Sequence, residues 1–235
     1  MGAVAWTATA AGLSVAAAAW AVRGRSSNVF GPSVWRGPAS KRALALTFDD
    51  GPSESTQEIL ALLDRFGARA TFFQCGANAE RLPSAAHAVS QAGHEIGNHT
   101  YSHARLWLRP PSFIEAEIAR AQQTLTEVHG APPRLFRAPF GVRWPGVGEA
   151  QRRHDLLDVM WTVLGRDWIA AGADVAAKLM RGARPGAIVC LHDGRELRAK
   201  PDISATLAAL RETLPMLRDD GYEFNTVSGL LGRVY

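Results

Sequence analysis

Beyond residue 41 the chain alternates between short apolar runs and longer stretches with apolar residues at helical spacing. The runs predict strands at Ala43–Thr47, Ala70–Phe73, Glu95–Gly97, Arg134–Phe136, Asp158–Val163, Ala187–Leu191 and Tyr222–Thr226. Between them the pattern predicts helices over 54–66, 78–92, 112–129, 148–155, 173–181 and 203–220. Ser53 after Pro52, and Ser112 with Glu115, read as helix-start signals. Seven strand–helix alternations predict the α/β class, with a mostly parallel sheet under helical cover, either open or closed as a barrel. No glycine fingerprint of a dinucleotide fold follows the first strand, and there is no P-loop and no internal repeat.

Polar residues interrupt this pattern just after the strand ends: Asp49-Asp50, His99, Arg137, Asp167 and His192. In parallel α/β folds that face carries the chemistry. His99 and His103, four residues apart, can present two imidazoles to one divalent ion, although the spacing alone also suits a surface pair. A carboxylate from another strand, Asp50, would complete an open catalytic site suited to zinc, with cobalt and nickel as alternatives. Asp49 need not then ligate and is free to act as a base. Gly51-Pro52 turns the chain sharply; alone, Asp-Asp-Gly-Pro equally describes a surface turn. A buried Arg137 needs an anion, and Asp49 is its candidate partner. The Phe140 backbone amide, in RAPFG, can be aimed at a developing oxyanion. His192 suits a general acid if another group holds its second ring nitrogen. Asp167 is the candidate holder; Asp193 is less suited, because adjacent side chains point apart. Trp168 is either a pocket wall or core. Trp107, in RLWLRPP, either lines a substrate groove or packs a helix.

The remaining features narrow the class. The chain has 235 residues, 47% of them hydrophobic and 20% charged, enough for one large folded domain. The formal charge of +4 is compatible with an anionic surface. Zinc-finger spacing, RNP-like segments and long basic runs are missing, so nucleic acid is not an expected partner. Cys75 and Cys190 sit in apolar runs and read as buried free thiols. Residues 2–22 carry no charged side chain, and 1–22 reads as an apolar leader or membrane anchor. Ala19-Trp20-Ala21 has the form of a cleavage site, while Arg23 and Arg25 favour an inside flank, so the orientation signals conflict. Residues 23–41 read as a linker and 42–235 as one catalytic domain. The expected location is extracytoplasmic, secreted or membrane-anchored, and the expected state is a monomer.

TFDDGP at 47–52, HTYSH at 99–103, RAPFG at 137–141, RDW at 166–168 and LH at 191–192 resemble, in order, the motifs of polysaccharide deacetylases (the NodB-homology domain, carbohydrate esterase family 4). Arg69-Ala70-Thr71-Phe72-Phe73 resembles that family's second strand. The resemblance covers about residues 41–230. It implies a deformed (β/α)7 barrel and metal-dependent removal of acetyl groups from sugars. It implies Asp49 as catalytic base, Asp50, His99 and His103 as metal ligands, Arg137 orienting the base, His192 as acid and Asp167 positioning it. The implied substrate is an N-acetylglucosamine-containing glycan, of peptidoglycan or chitin type. An O-acetyl xylan esterase and a catalytically silent carbohydrate-binding protein are the alternatives. Two positions depart from the family pattern. Leu164 replaces the first aspartate of D-x-x-D-W, and Phe140 stands where tyrosine is usual.

Overall fold

The strand β2 (Ala43–Asp49) is buried along its whole length, as an apolar run covered on both faces must be. It is the hub of the computed structural model, which describes residues 14–233. Beside it lie β3 (Ala70–Gln74), β8 (Ala187–His192) and the short β9 (Glu223–Asn225). The other strands are β1 (Ser33–Val34), β4 (Glu95–Asn98), β5 (Leu135–Phe136), β6 (Leu157–Val159) and β7 (Val163–Leu164). All pairings are parallel, in the order β1-β6-β5-β4-β3-β2-β8-β7, with β9 joined to β2. The sheet curls with β1 and β7 at its two ends, giving the deformed (β/α)7 barrel.

The helices are α1 (residues 14–23), α2 (Thr56–Arg65), α3 (Gly76–Arg81), α4 (Pro83–Gln91), α5 (Pro111–His129), α6 (Val147–His154), α7 (Gly172–Gly182), α8 (Ser204–Asp219) and α9 (Val227–Leu231). Strand alternation separates two cores. Leu44, Leu46 and Phe48 of β2 join Ala187, Val189 and Leu191 of β8 beneath the helices. There Phe48 stacks on Phe72 at 4.9 Å. Complete burial of such side chains stabilises by about 1.5–3 kcal/mol each. Ala43, Ala45 and Ile188 belong instead to the opposite, barrel-lumen cluster with Phe73, Leu135 and Val159.

Three expectations from the apolar pattern change. The run 158–163 is not one strand: β6 pairs with β5 and β1, whereas β7 pairs with β8. Thr162, between them, bonds Ile188 through its side chain. A continuous strand could not exchange neighbours in this way. The helix expected over 78–92 breaks at Leu82, where Pro83 starts α4, since proline suits a first helical turn and disrupts an interior. Residues 23–41, read as a linker, contribute β1, and Arg25 Nη1 donates to the Thr162 carbonyl at 2.6 Å. Of the leader or anchor expected at 1–22, residues 1–13 lie outside the described residues. Among the described residues no helix is long and apolar enough to cross a membrane.

Candidate active site

The period of two that points Ala43 and Ala45 into the lumen also points Thr47 and Asp49 there. On β8 it does the same for Cys190 and His192. The register aligns Thr47 with Cys190 and Asp49 with His192. Arg137, just after β5, is fully buried. Its Nη1 donates to Asp49 Oδ1 at 2.6 Å and to Thr47 Oγ1 at 2.7 Å, and its Nε to the Val159 carbonyl at 2.8 Å. The guanidinium lies 4.1 Å from the Phe73 ring centroid. These contacts give Asp49 one fixed orientation. Its other oxygen, Oδ2, lies 3.4 Å from Cys190 Sγ.

Asp50 turns away from its neighbour. The chain leaves β2 here with φ 70° at Asp50, a left-handed conformation that is uncommon for a non-glycine residue. Thr100, His103, Phe140 and Arg166 share it, so strain gathers in the site motifs, as it does at functional centres. Asp50 Oδ1 is 3.3 Å from His99 Nε2 and 3.1 Å from His103 Nε2. His99 Nδ1 bonds the Arg137 carbonyl at 2.7 Å. With Nδ1 as donor to that carbonyl, the neutral ring turns the lone pair of Nε2 toward Asp50. Two imidazole nitrogens and a carboxylate oxygen thus converge on one point. The donor set of two imidazoles and one carboxylate, with a second-shell carbonyl fixing one tautomer, fits a divalent metal. Asp50 Oδ2 accepts the Glu196 amide at 2.9 Å. Burial pushes the Asp50 carboxyl up; with no cation bound, hydrogen bonds donated by His103 and His99 outweigh it and hold the group well below the usual range, and a cation would take the place of those protons.

His192 faces this pair across the cavity. Its Nδ1 lies 2.8 Å from Asp167 Oδ1, and its amide donates to Asp167 Oδ2 at 2.9 Å. Thr206 Oγ1 adds a bond to Oδ2 at 2.6 Å. Burial would lower the ring's pKa; the Asp167 bond and charge, then Asp50 and Asp49, raise it from 6.5 to about 9. Trp168 packs edge-on to His192 at 5.0 Å. Leu164 sits on the cavity wall, and Asp167 alone supplies the carboxylate that reaches Nδ1. Asp193 instead accepts from Thr56 Oγ1, at 2.6 Å, and braces the turn after β2.

One cavity of about 1080 Å³ gathers Asp49, Asp50, His99, His103, Phe140, Asp167, Trp168 and His192. Arg137 lies behind Asp49, and Trp107 is not on the cavity wall. Trp107 packs edge-on against Phe140 at 5.9 Å, and Phe140 in turn meets His103 at 4.7 Å. Sequence reasoning missed Thr47, Thr206 and the Glu196 amide. Thr47 was recoverable, because it lies two residues before Asp49 on the same strand face. Thr206 and Glu196 reach the site only through the packing of α8 and the loop before it.

This geometry is that of a metal-dependent acyl hydrolase. The profile described as polysaccharide deacetylase matches residues 36–157. A peptidoglycan-N-acetylglucosamine deacetylase of Bacillus cereus is 36% identical over 201 residues, covering 84% of this chain and 92% of that one. A chitooligosaccharide deacetylase of Azorhizobium caulinodans is 36% identical over 196 residues, covering 78% and 91%. The solved Bc1960 peptidoglycan N-acetylglucosamine deacetylase superposes with a TM-score of 0.78 at 29% identity, covering 85% of this chain and 92% of that one. The chain belongs to the polysaccharide deacetylase family.

Proposed function

We propose that this protein removes N-acetyl groups from N-acetylglucosamine-containing glycans, releasing acetate. The observation that carries the reading is the divergence of two adjacent carboxylates at the end of β2. Asp49 is held by Arg137 at 2.6 Å, while Asp50 joins two histidines. Asp50, His99 and His103 would hold a divalent cation, for which zinc suits the donors best. Such a cation, when bound, polarises the acyl carbonyl and acidifies water.

Asp49 takes a proton from the attacking water, whose oxygen forms the new bond to the carbonyl carbon. Arg137 keeps Asp49 aimed. The Phe140 amide donates to the oxygen that gains charge. The C–N bond then breaks, and His192, positioned by Asp167, delivers its Nε2 proton to the leaving nitrogen. The products are acetate and a free amino sugar. Trp168 forms one wall of the acyl pocket. Trp107 acts one step back, by bracing Phe140. The relatives' cell-wall substrates support an extracytoplasmic location, with residues 1–22 as leader or anchor.

The test is acetate release by zinc-loaded protein from N-acetylglucosamine oligomers and from peptidoglycan, beside acetylated xylan, with Asp49→Asn as control. Release from the N-acetylated substrates that is lost in D49N is the expected result. Release from xylan alone would make the protein an O-acetyl esterase. Binding of glycan without release from any substrate would make it a silent carbohydrate-binding protein.

A further inference from the structure

The cavity has a second wall that the hydrolytic reaction does not use. It is built from the loop after β8 and the starts of α7 and α8, and it carries Arg195 and Arg198, while Arg23 borders the same cavity. On the catalytic side every carboxylate is matched: Asp49 by Arg137, Asp50 by its histidines and Asp167 by His192. The arginines on the second wall are not. Among the described residues, no carboxylate lies within ion-pair distance of Arg23, Arg195 or Arg198, and residues 1–22 contain no acidic side chain.

Arg195 is half-buried. Its Nη2 is held by two carbonyl oxygens, of Asp167 at 2.9 Å and of Asp202 at 3.4 Å. Carbonyls orient a guanidinium without neutralising it. The Arg198 amide donates to the Arg195 carbonyl at 3.1 Å, so one turn presents both cations. Two acids share this wall. Asp202 Oδ1 is occupied by the Ser204 amide at 2.9 Å, and Glu196 turns its backbone to Asp50. Three arginines thus face two acids, and no ion pair joins them. The 11-residue α7, whose N-cap Ala171 provides no side-chain cap, adds its positive end to the same wall.

Arginines on a substrate cavity that lack a carboxylate of their own are suited to receive one from a ligand, through paired N–H donors. We propose that Arg195 and Arg198, supported by Arg23, form a subsite for a carboxylate carried on the glycan, so that the protein favours acidic N-acetylated glycans over neutral chitin-type oligomers. This rests on the deacetylase reading and narrows its substrate class. The carboxylate belongs either to a lactyl group on the sugar or to a peptide attached to it.

The test compares a peptidoglycan tetrasaccharide bearing free lactyl carboxylates, the same fragment amidated, the fragment with peptide stems, and chitotetraose. Binding is measured by calorimetry to full-length D49N protein, and kcat and KM for acetate release on wild type. The acidic fragment should bind about fivefold more tightly than its amide, and that advantage should shrink with added salt. Exposed Arg198→Glu should remove it by raising KM for the acidic fragment with little change in kcat, and should barely move KM for chitotetraose. Arg195→Gln should act in the same direction. A preference confined to the peptide-bearing fragment would place the carboxylate on the peptide. Equal binding of the acid, the amide and the peptide-bearing fragment, or equal effects of R198E on acidic and neutral glycans, would overturn the proposal. A binding preference for the acid without acetate release from any substrate would leave the subsite standing and remove the deacetylase reading instead.

Discussion

Asp167→Asn isolates the contribution of one hydrogen-bonded carboxylate to His192, the acid in the proposed reaction. In the native protein Asp167 contacts His192 Nδ1 at 2.8 Å and is itself held by Thr206. The asparagine fills the same space, but its charge is gone. The difference between 6.5 and about 9 at His192 corresponds to roughly 3 kcal/mol in favour of the protonated ring. Asp50 and Asp49 supply part of it, and a cation at Asp50 cancels some of theirs, so the alkaline limb of the metal-loaded enzyme should fall between 6.5 and 9. Once the Asp167 charge is removed, burial lowers the ring back toward its ordinary value of 6.5. At pH 8 a ring of pKa 6.5 is protonated in only about one molecule in thirty. Acetate release at pH 8 should therefore fall by up to about thirtyfold, with much less loss at pH 6. The assay is a pH–rate profile of both proteins with saturating zinc. Stability follows the same sign. The folded value lies above the unfolded one, so the contribution is full below about pH 6.5 and disappears as pH rises through about 9. Urea unfolding at pH 6 should show D167N less stable by up to about 3 kcal/mol, and the gap should narrow at pH 10. Superimposable pH–rate profiles would refute the reasoning.

Three other outcomes are expected. His103→Ala should weaken zinc binding by about 100-fold or more, so that elemental analysis after dialysis finds far less than one ion per chain; full retention would remove His103 from the ligand set. Arg137→Met leaves the buried Asp49 without its cation and should cost about 3–5 kcal/mol in urea unfolding; a cost below about 1 kcal/mol would mean that the pair contributes little. Leu164→Asp restores the family's usual residue, yet Asp167 already occupies His192 Nδ1. The substitution should leave kcat within about threefold, since an acid that is already held gains nothing from a second carboxylate; a tenfold rise would show that Leu164 limits the wild-type reaction.

The aromatic surroundings show how far side-chain type alone can lead. Phe140 and Trp168 are about two-fifths exposed, at 42% and 41%, although both are large apolar residues. Each packs edge-on to a site histidine, which leaves its remaining surface for the cavity. Trp107 has the same chemistry but stands one residue further out, behind Phe140. Nothing in the local sequence RLWLRPP separates a wall from its buttress. The separation comes from the left-handed backbone of Phe140, φ 60°, which swings that ring between Trp107 and His103.

By itself the sequence determined the α/β alternation, the ends of the principal strands and the residue types that gather beyond them. Those features are local: hydrophobic period, turn chemistry and side-chain identity are written in neighbouring residues. It also placed Asp49 and Asp50 next to each other, with the requirement that they separate. Only the tertiary structure decided which partner each one meets. Arg137 reaches Asp49 across 88 positions of chain, and Thr206 reaches Asp167 across 39. The strand read as 158–163 splits because its two halves find different neighbours, and the expected linker becomes β1 because β6 offers it an open edge. The same holds for the second wall of the cavity. Arg195 and Arg198 are ordinary loop residues in the sequence, and their charges acquire a direction only when the loop folds back over the site. Contacts between distant segments depend on the closure of the sheet, which no local pattern encodes.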